Sequence, residues 1–163
     1  MRQREVLVRI PKPDFTLFNA RRDELPEVIV VNGALKDFEQ KEVFPWYLRI
    51  SIDAKELIEN GMPAPEENEL LFEIGDEIER VVLGGRTKNN GENALFIARG
   101  TWNGLRELRY QIHDPEIAND SLQSLLQSRD WPRPWEFEMK CQPDWKNAGY
   151  AFRLFTLAAR GDA

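Results

Sequence analysis

One histidine and one cysteine are all that 163 residues provide, and that scarcity removes much chemistry before any pattern is read. Cys141 has no second thiol to pair with, so neither an intrachain disulfide nor a cysteine-built zinc cage can form. A reactive thiolate needs a cation or a helix amino end beside it, and the local "MKCQPD" offers only Lys140. Any histidine base would have to be His113, and no G-x-S-x-G nucleophile elbow stands ready to use it. Long apolar runs are missing as well. Nothing approaches the ~18 apolar residues of a membrane span, and "MRQREVLVRI" lacks the apolar core of a secretory signal. Nor is there an excess of positive charge. Twenty-eight acids against 22 bases leave −6, which disfavours loose contact with nucleic acid or an anionic membrane and leaves basic protein partners open. The expectation is a soluble cytoplasmic protein without metal or cofactor. A hydrophobic content of 42% is too high for disorder, and no linker or repeat interrupts the chain, so a single domain over residues 1–163 is expected.

What is present is clear periodicity. "EVLVRI" alternates and stops at "PKPD"; "DFTLFNA" and "EVIVVN" flank "RRDELP" and suit a hairpin with a longer loop. These are the amino-terminal strands, within residues 5–32. "PWYLRISID" puts Trp46, Leu48, Ile50 and Ile52 on one side, with Tyr47, Arg49 and Ser51 on the other. "DAKELIENG" reads as a helical turn or two, capped by Asp53 and stopped by Gly61. A long helix follows in "APEENELLFEIGDEIERVVLGG". Pro65 suits its first turn, acids suit its amino end, and Leu71, Ile74, Ile78 and Val81 form a buried stripe.

"NALFIARGTWNGLRELRYQIH" centres on Asn103-Gly104, the dipeptide that best tolerates the two positive φ angles of a type I′ turn. An unbroken ladder from that turn sets Leu95 opposite Ile112, Ile97 opposite Tyr110 and Arg99 opposite Leu108. Phe96, Arg109, Gln111 and His113 then share the second face. "DPEIANDSLQSLLQS" is a helix with Asp114 as cap and Pro115 in first position; "RPWEFEMK" is a strand alternating Trp135, Phe137 and Met139 with charge. The tail "PDWKNAGYAFRLFTLAARGDA" fits a turn with a strand and a short helix equally well. From Pro45 onward the order is β-α-β-β-α-β. That predicts an α+β, ferredoxin-like split βαβ core over about residues 44–157, with two helices on one face of an antiparallel sheet. The amino-terminal strands extend that sheet, cover its polar face, or pair with a second subunit in a homodimer.

Candidate sites are few. Asp114, Glu116 and Asp120 lie close in sequence, but helix capping accounts for Asp-Pro-Glu, and the calcium-loop pattern is absent. A carboxylate-metal enzyme is therefore only a third reading. "LGGRTKNNGE" follows a helix and lacks the Gly-Lys-Ser/Thr ending of a phosphate loop, so it is read as a connector. The acids Glu66, Glu67, Glu69, Glu73, Asp76, Glu77 and Glu79 are read first as a solvated helix face. The remaining surface is the polar sheet face, where Tyr47, Arg49, Phe96, Arg109, Gln111 and His113 would bind a partner. Aromatics and arginines on an open sheet are also how one RNA-binding module stacks single-stranded bases, though its signature peptide is missing.

Three stretches carry a resemblance: "RDELPEVIVVNGAL" leading into "FPWYLRISID", then "RGTWNGLRELRYQI", then "QPDWKNAGYAFRLF". Together they resemble the bacterial domain-of-unknown-function family 695, over about residues 15–155. Trp46, Trp102, Asn103, Gly104, Arg106, Glu107, Asp144 and Trp145 stand where that family's motif residues fall. The resemblance implies a ferredoxin-like sheet and kinship with the regulator of ribonuclease activity B, a small acidic inhibitor. It implies no catalytic residue. The function expected is a non-catalytic regulatory or protein-interaction module, with RNA binding or ribonuclease regulation as the alternative.

Overall fold

The computed structural model describes residues 7–161. Six strands, all paired antiparallel, form one sheet: β1 (Phe15–Arg22), β2 (Leu25–Asn32), β3 (Trp46–Asp53), β4 (Ala94–Trp102), β5 (Leu105–Ile112) and β6 (Trp135–Cys141). Their order across the sheet is β1-β2-β4-β5-β3-β6. The helices are α1 (Pro65–Gly84), α2 (Pro115–Gln127) and α3 (Lys146–Ala159). The chain is thus α+β, and its sheet has six strands in this order rather than the four of a ferredoxin-like core alone. β1 and β2 lie in line beyond β4, covering neither face.

The β3 alternation explains the two cores. Leu48, Ile50 and Ile52 join Leu108, Tyr110 and Ile112 of β5 beneath Leu71, Ile74, Ile78 and Val82 of α1 and Ala118 and Leu122 of α2. Val82 rather than Val81 completes the α1 stripe. The opposite face has its own core. Ile29, Val31, Leu95, Ile97 and Ala98 pack against Trp145, Ala148, Ala151 and Phe152, with Leu35, Phe38 and Phe44 closing one end. The undecided tail is therefore a helix, and it lies on the face that the two-helix expectation left open.

The Asn103-Gly104 turn forms as expected, with φ of 46° and 76°. Trp102 faces Leu105 and Arg99 faces Leu108, but the ladder is not unbroken. A bulge at Ile97 shifts the register, so Phe96 opposes Tyr110, Leu95 opposes Gln111 and Ala94 opposes Ile112. The extra residue lets Ile97 and Ala98 both enter the α3 core, while Phe96 turns to the α1 side.

Three other expectations are corrected. The β1–β2 loop is only Asp23-Glu24, with φ of 50° and 66°, so the hairpin is tight rather than long. Residues 54–63 are not helical. The loop is closed by a Leu57–Pro63 bridge and docked on the neighbouring turn, Ala54 N–H donating to Gly104 O (2.9 Å) and Gly104 N–H to Gly61 O (2.8 Å). Those tertiary bonds replace the ones a short helix would make within itself. In "EVLVRI", residues 5 and 6 lie outside the described residues, and residues 7–10 form no strand. Pro11 and Pro13 supply no amide for a ladder; Gln40 holds this segment instead, accepting from Arg9 N–H (3.3 Å) and donating to Leu7 O (3.1 Å). No helix among the described residues is long and apolar enough to cross a membrane.

The acidic run is partly paired within the fold. Glu77 pairs with Arg129 (2.6 Å), Glu79 accepts from the Tyr110 hydroxyl (3.2 Å), and Glu67 is buried against Arg133. Arg133 donates to both Glu67 oxygens at 2.6 and 2.7 Å, and Lys55 N–H adds a third bond at 2.6 Å. These bonds, Arg133's first, hold the Glu67 carboxyl down to about 2 from an ordinary 4.5, against the burial that would raise it. A carboxyl lowered on folding contributes stability above its unfolded value, and loses it as pH falls through the folded one. Glu67→Gln is expected to cost about 2 kcal/mol at neutral pH. The gap to wild type should hold down to about pH 4.5 and close by about pH 2, as read by urea unfolding across pH. A gap that is flat over that range would mean that the charge contributes nothing.

Candidate functional site

α3 covers β4 and β2 but leaves the polar residues of β5, β3 and β6 beside it, and between them lies a cleft of about 440 Å³. Its floor comes from strand alternation: Tyr47 and Arg49 of β3, Glu107 and Arg109 of β5, Glu138 and Lys140 of β6. Arg22 and Glu27 close one end, and Asn147, Tyr150 and Leu154 of α3 form the wall. The wall is placed by Trp145, buried at 1% exposure, whose indole N–H donates to both Lys41 O (2.9 Å) and Phe44 O (2.8 Å).

Register sets the electrostatics. Arg49 sits directly opposite Arg109 on β5, a like-charge pairing that costs stability unless acids intervene. Two do. Glu138, opposite Arg49 on its other side, binds it at 2.9 Å. Glu107, buried at 6% exposure, is the hub: Arg109 lies at 3.2 Å, Arg22 at 3.8 Å and Arg49 at 3.9 Å. With Lys140 and Glu27 included, four cations line the cleft against three acids, in a chain whose net charge is −6. The Nε–H groups of Arg22, Arg49 and Arg109 are all buried without an acceptor among the described residues. Nitrogens so enclosed are out of a ligand's reach; what a ligand can meet is the outer part of Arg22 and Arg49, whose side chains are 38% and 41% exposed. Tyr47 is almost fully buried there. Burial pushes its phenol up, with Arg109 pulling the other way, so it remains a neutral hydrogen-bonding group.

Of the six residues expected to share a face, Tyr47, Arg49 and Arg109 line this cleft. Gln111 lies on the same face but is fully buried, and its amide donates to Phe44 O at 2.8 Å. Phe96 is on the opposite face, edge-on to Tyr110 (5.8 Å) and Phe15 (5.7 Å), because of the bulge. His113 is exposed beyond the strand end. Its Nδ1 lies 2.6 Å from Val43 O, so that nitrogen carries the proton, and its ring packs edge-on to Phe44. Arg22, Glu27, Glu138, Lys140, Asn147 and Tyr150 were not anticipated. The alternation of "WEFEMK" carries a signal for Glu138 and Lys140; nothing in the sequence pairs α3 with this face.

The motif positions divide between scaffold and cleft. Trp102 donates to Arg22 O (2.8 Å) and lies under the Arg22 guanidinium at 3.9 Å, aiming it at Glu107. Arg106 points the other way and is 2% exposed, donating to Thr101 (2.7 Å) and Asn68 (2.6 Å). Burial, then Arg99, pulls its guanidinium down to about 10. Trp46 packs at the α1–α2 core, and Asp144 accepts from Lys146 N–H at the start of α3 (3.3 Å). Asp114 caps α2 through Glu116 N–H (3.0 Å) and Cys141 is exposed; among the described residues no three His, Cys, Asp or Glu side chains converge as metal ligands would.

No curated protein and no solved structure matches this sequence. The model of the family of unknown function DUF695 matches residues 14–152, a span that takes in both cores, the cleft floor and the first half of α3. On that match over most of its length, the chain belongs to the family of unknown function DUF695.

Proposed function

We propose that this chain is a non-catalytic cytoplasmic module that acts by binding a protein partner, and that the cleft beside α3 receives that partner's acidic side chains. The observation that carries the reading is the gathering of Arg22, Arg49, Arg109 and Lys140 at one cleft, where the single buried Glu107 is shared among the three guanidiniums. Guanidinium forks suit carboxylates, and a partner supplying them would balance the cleft's excess of cations over acids. A cleft of this size holds one or two side chains and no extended strand.

The bacterial setting and the relation to the regulator of ribonuclease activity B belong to the same proposal and make a ribonuclease the first partner to try. A ferredoxin-like unit within the larger sheet is also proposed. The neighbour order β4-β5-β3-β6, and α1 and α2 on one shared core, support it. Single-stranded RNA is not carried forward as a second reading. Phe96 lies on the wrong face, and α3 occupies much of the surface on which bases would stack.

A labelled hexaglutamate peptide followed by fluorescence anisotropy tests the cleft. Binding should weaken with salt, and Arg109→Gln should weaken it by about tenfold. Hexalysine should not bind there. If hexaglutamate fails to bind at low salt, or binds the variant equally well, the cleft is not an acid-binding site.

A further inference from the structure

On the other side of the sheet, the bulge that redirects Phe96 has a second consequence. β2 pairs with β4 only as far as Val31 opposite Ala98, so the first residues of β4 part from β2. Asn32, 4% exposed, bridges the opening by donating to Phe96 O (3.2 Å) and accepting from Asp14 N–H (3.1 Å). Beneath that bridge lies a cavity of about 730 Å³, within the range of small-molecule sites. Val30, Ala94, Leu95 and Phe96 line it, Leu83 of α1 forms one wall, and the Pro11-Lys12-Pro13 strap forms another.

Four charged residues reach this apolar space: Lys12, Arg99, Glu79 and Glu92. Both acids are engaged, Glu79 by the Tyr110 hydroxyl (3.2 Å) and Glu92 by Arg86 (3.1 Å). Burial pushes the Glu79 carboxyl up, against the Tyr110 hydrogen bond and the Arg99 charge that pull it down. Neither cation has an ion-pair partner among the described residues; Arg99 rests on the Phe72 ring at 4.9 Å. The cavity therefore combines apolar walls with two cations, Arg99 and Lys12, that no close ion pair neutralises among the described residues. We infer that it is a binding site for a small apolar carboxylate, whose hydrocarbon or aromatic body fills the cavity and whose head meets Arg99 and Lys12. This site is separate from the acid-binding cleft, on the opposite face of the sheet, and does not depend on it.

The test is calorimetric titration of the full chain with decanoate, kept below micelle formation, and with decan-1-ol as the uncharged counterpart. Decanoate is expected to bind once per chain, about tenfold more tightly than the alcohol. Arg99→Met should remove that preference and Arg99→Lys should keep it. Val30→Trp, checked for folding by circular dichroism, should abolish binding by filling the cavity, whereas Arg109→Gln in the cleft should leave it unchanged. Four results would each overturn the inference: no saturable decanoate binding, equal affinity for acid and alcohol, an Arg99→Met variant that binds like wild type, or a loss on Arg109→Gln.

Discussion

Trp145→Ala is expected to lower stability by about 3–5 kcal/mol, the largest loss of any single change considered for this chain. The indole is 1% exposed, stacks on Phe38 with ring centroids 5.6 Å apart, and its N–H serves two carbonyls on the segment that leads into β3. Alanine would leave a cavity in the second core and remove the indole donor from both carbonyls, leaving Phe44 O with the Gln111 amide. The residue also adopts φ of 59°, a left-handed conformation that a side chain tolerates only at a cost of about 1–2 kcal/mol. That cost is accepted because the chain must reverse into α3 at the point where the ring drops into the core. Trp145→Phe keeps most of the ring and loses only the N–H, so it should cost about 1–2 kcal/mol. Urea unfolding followed by far-ultraviolet circular dichroism measures both. A loss below about 1 kcal/mol for the alanine variant would show that the indole does not hold α3, and the cleft wall would need another anchor.

Much of the fold was legible wherever a local rule decides the geometry. The Asn103-Gly104 turn, the Asp114 cap with Pro115 behind it and the alternation of β3 and β6 all follow from nearby residues. What was not legible depends on contacts between segments distant in sequence. The bulge is one case: "FIA" is apolar throughout, and only the presence of a second core on the α3 side explains why Ile97 and Ala98 both turn that way. The loop over residues 54–63 is another. Its helix-like pattern yields to backbone bonds linking Ala54 and Gly61 to the distant Gly104, which the sequence does not announce. The tight Asp23-Glu24 turn lacks the glycine or asparagine that usually marks two positive φ angles.

The site was half legible for the same reason. Strand alternation grouped Tyr47, Arg49 and Arg109 on one face, because period two holds along β3 and along β5, the bulge lying on β4. It misplaced Phe96, which lies on the far side of the bulge from the turn that set the register. The anchors from β1 and β6 were missed because the sheet order joins them to the site across strands far apart in sequence. Glu107 stood among the motif positions, but its role depends on three arginines that only the folded sheet gathers.

Glu107→Gln should separate stability from binding in opposite directions. The carboxylate is the buried counter-charge of Arg109, Arg49 and Arg22, and Arg49 faces Arg109 directly across the ladder. Neutralising it strips buried Arg109 of its counter-charge and leaves it to repel the half-exposed Arg49 and Arg22, which water screens, so stability should fall by about 2 kcal/mol at low salt. The same change removes the charge that competes with an incoming carboxylate. Hexaglutamate should therefore bind the variant more tightly than wild type, by about tenfold, because the ligand now supplies the missing counter-charge. Sulfate should restore more stability to the variant than to wild type when ionic strength is matched with chloride, since a doubly charged oxyanion can accept from several guanidiniums at once. Denaturation in the two salts and the anisotropy titration read these effects separately. A purely structural Glu107 would give the stability loss with peptide affinity unchanged or lower. A variant as stable as wild type would mean that the arginines are held apart by solvent, and that the hub geometry does not govern the cleft.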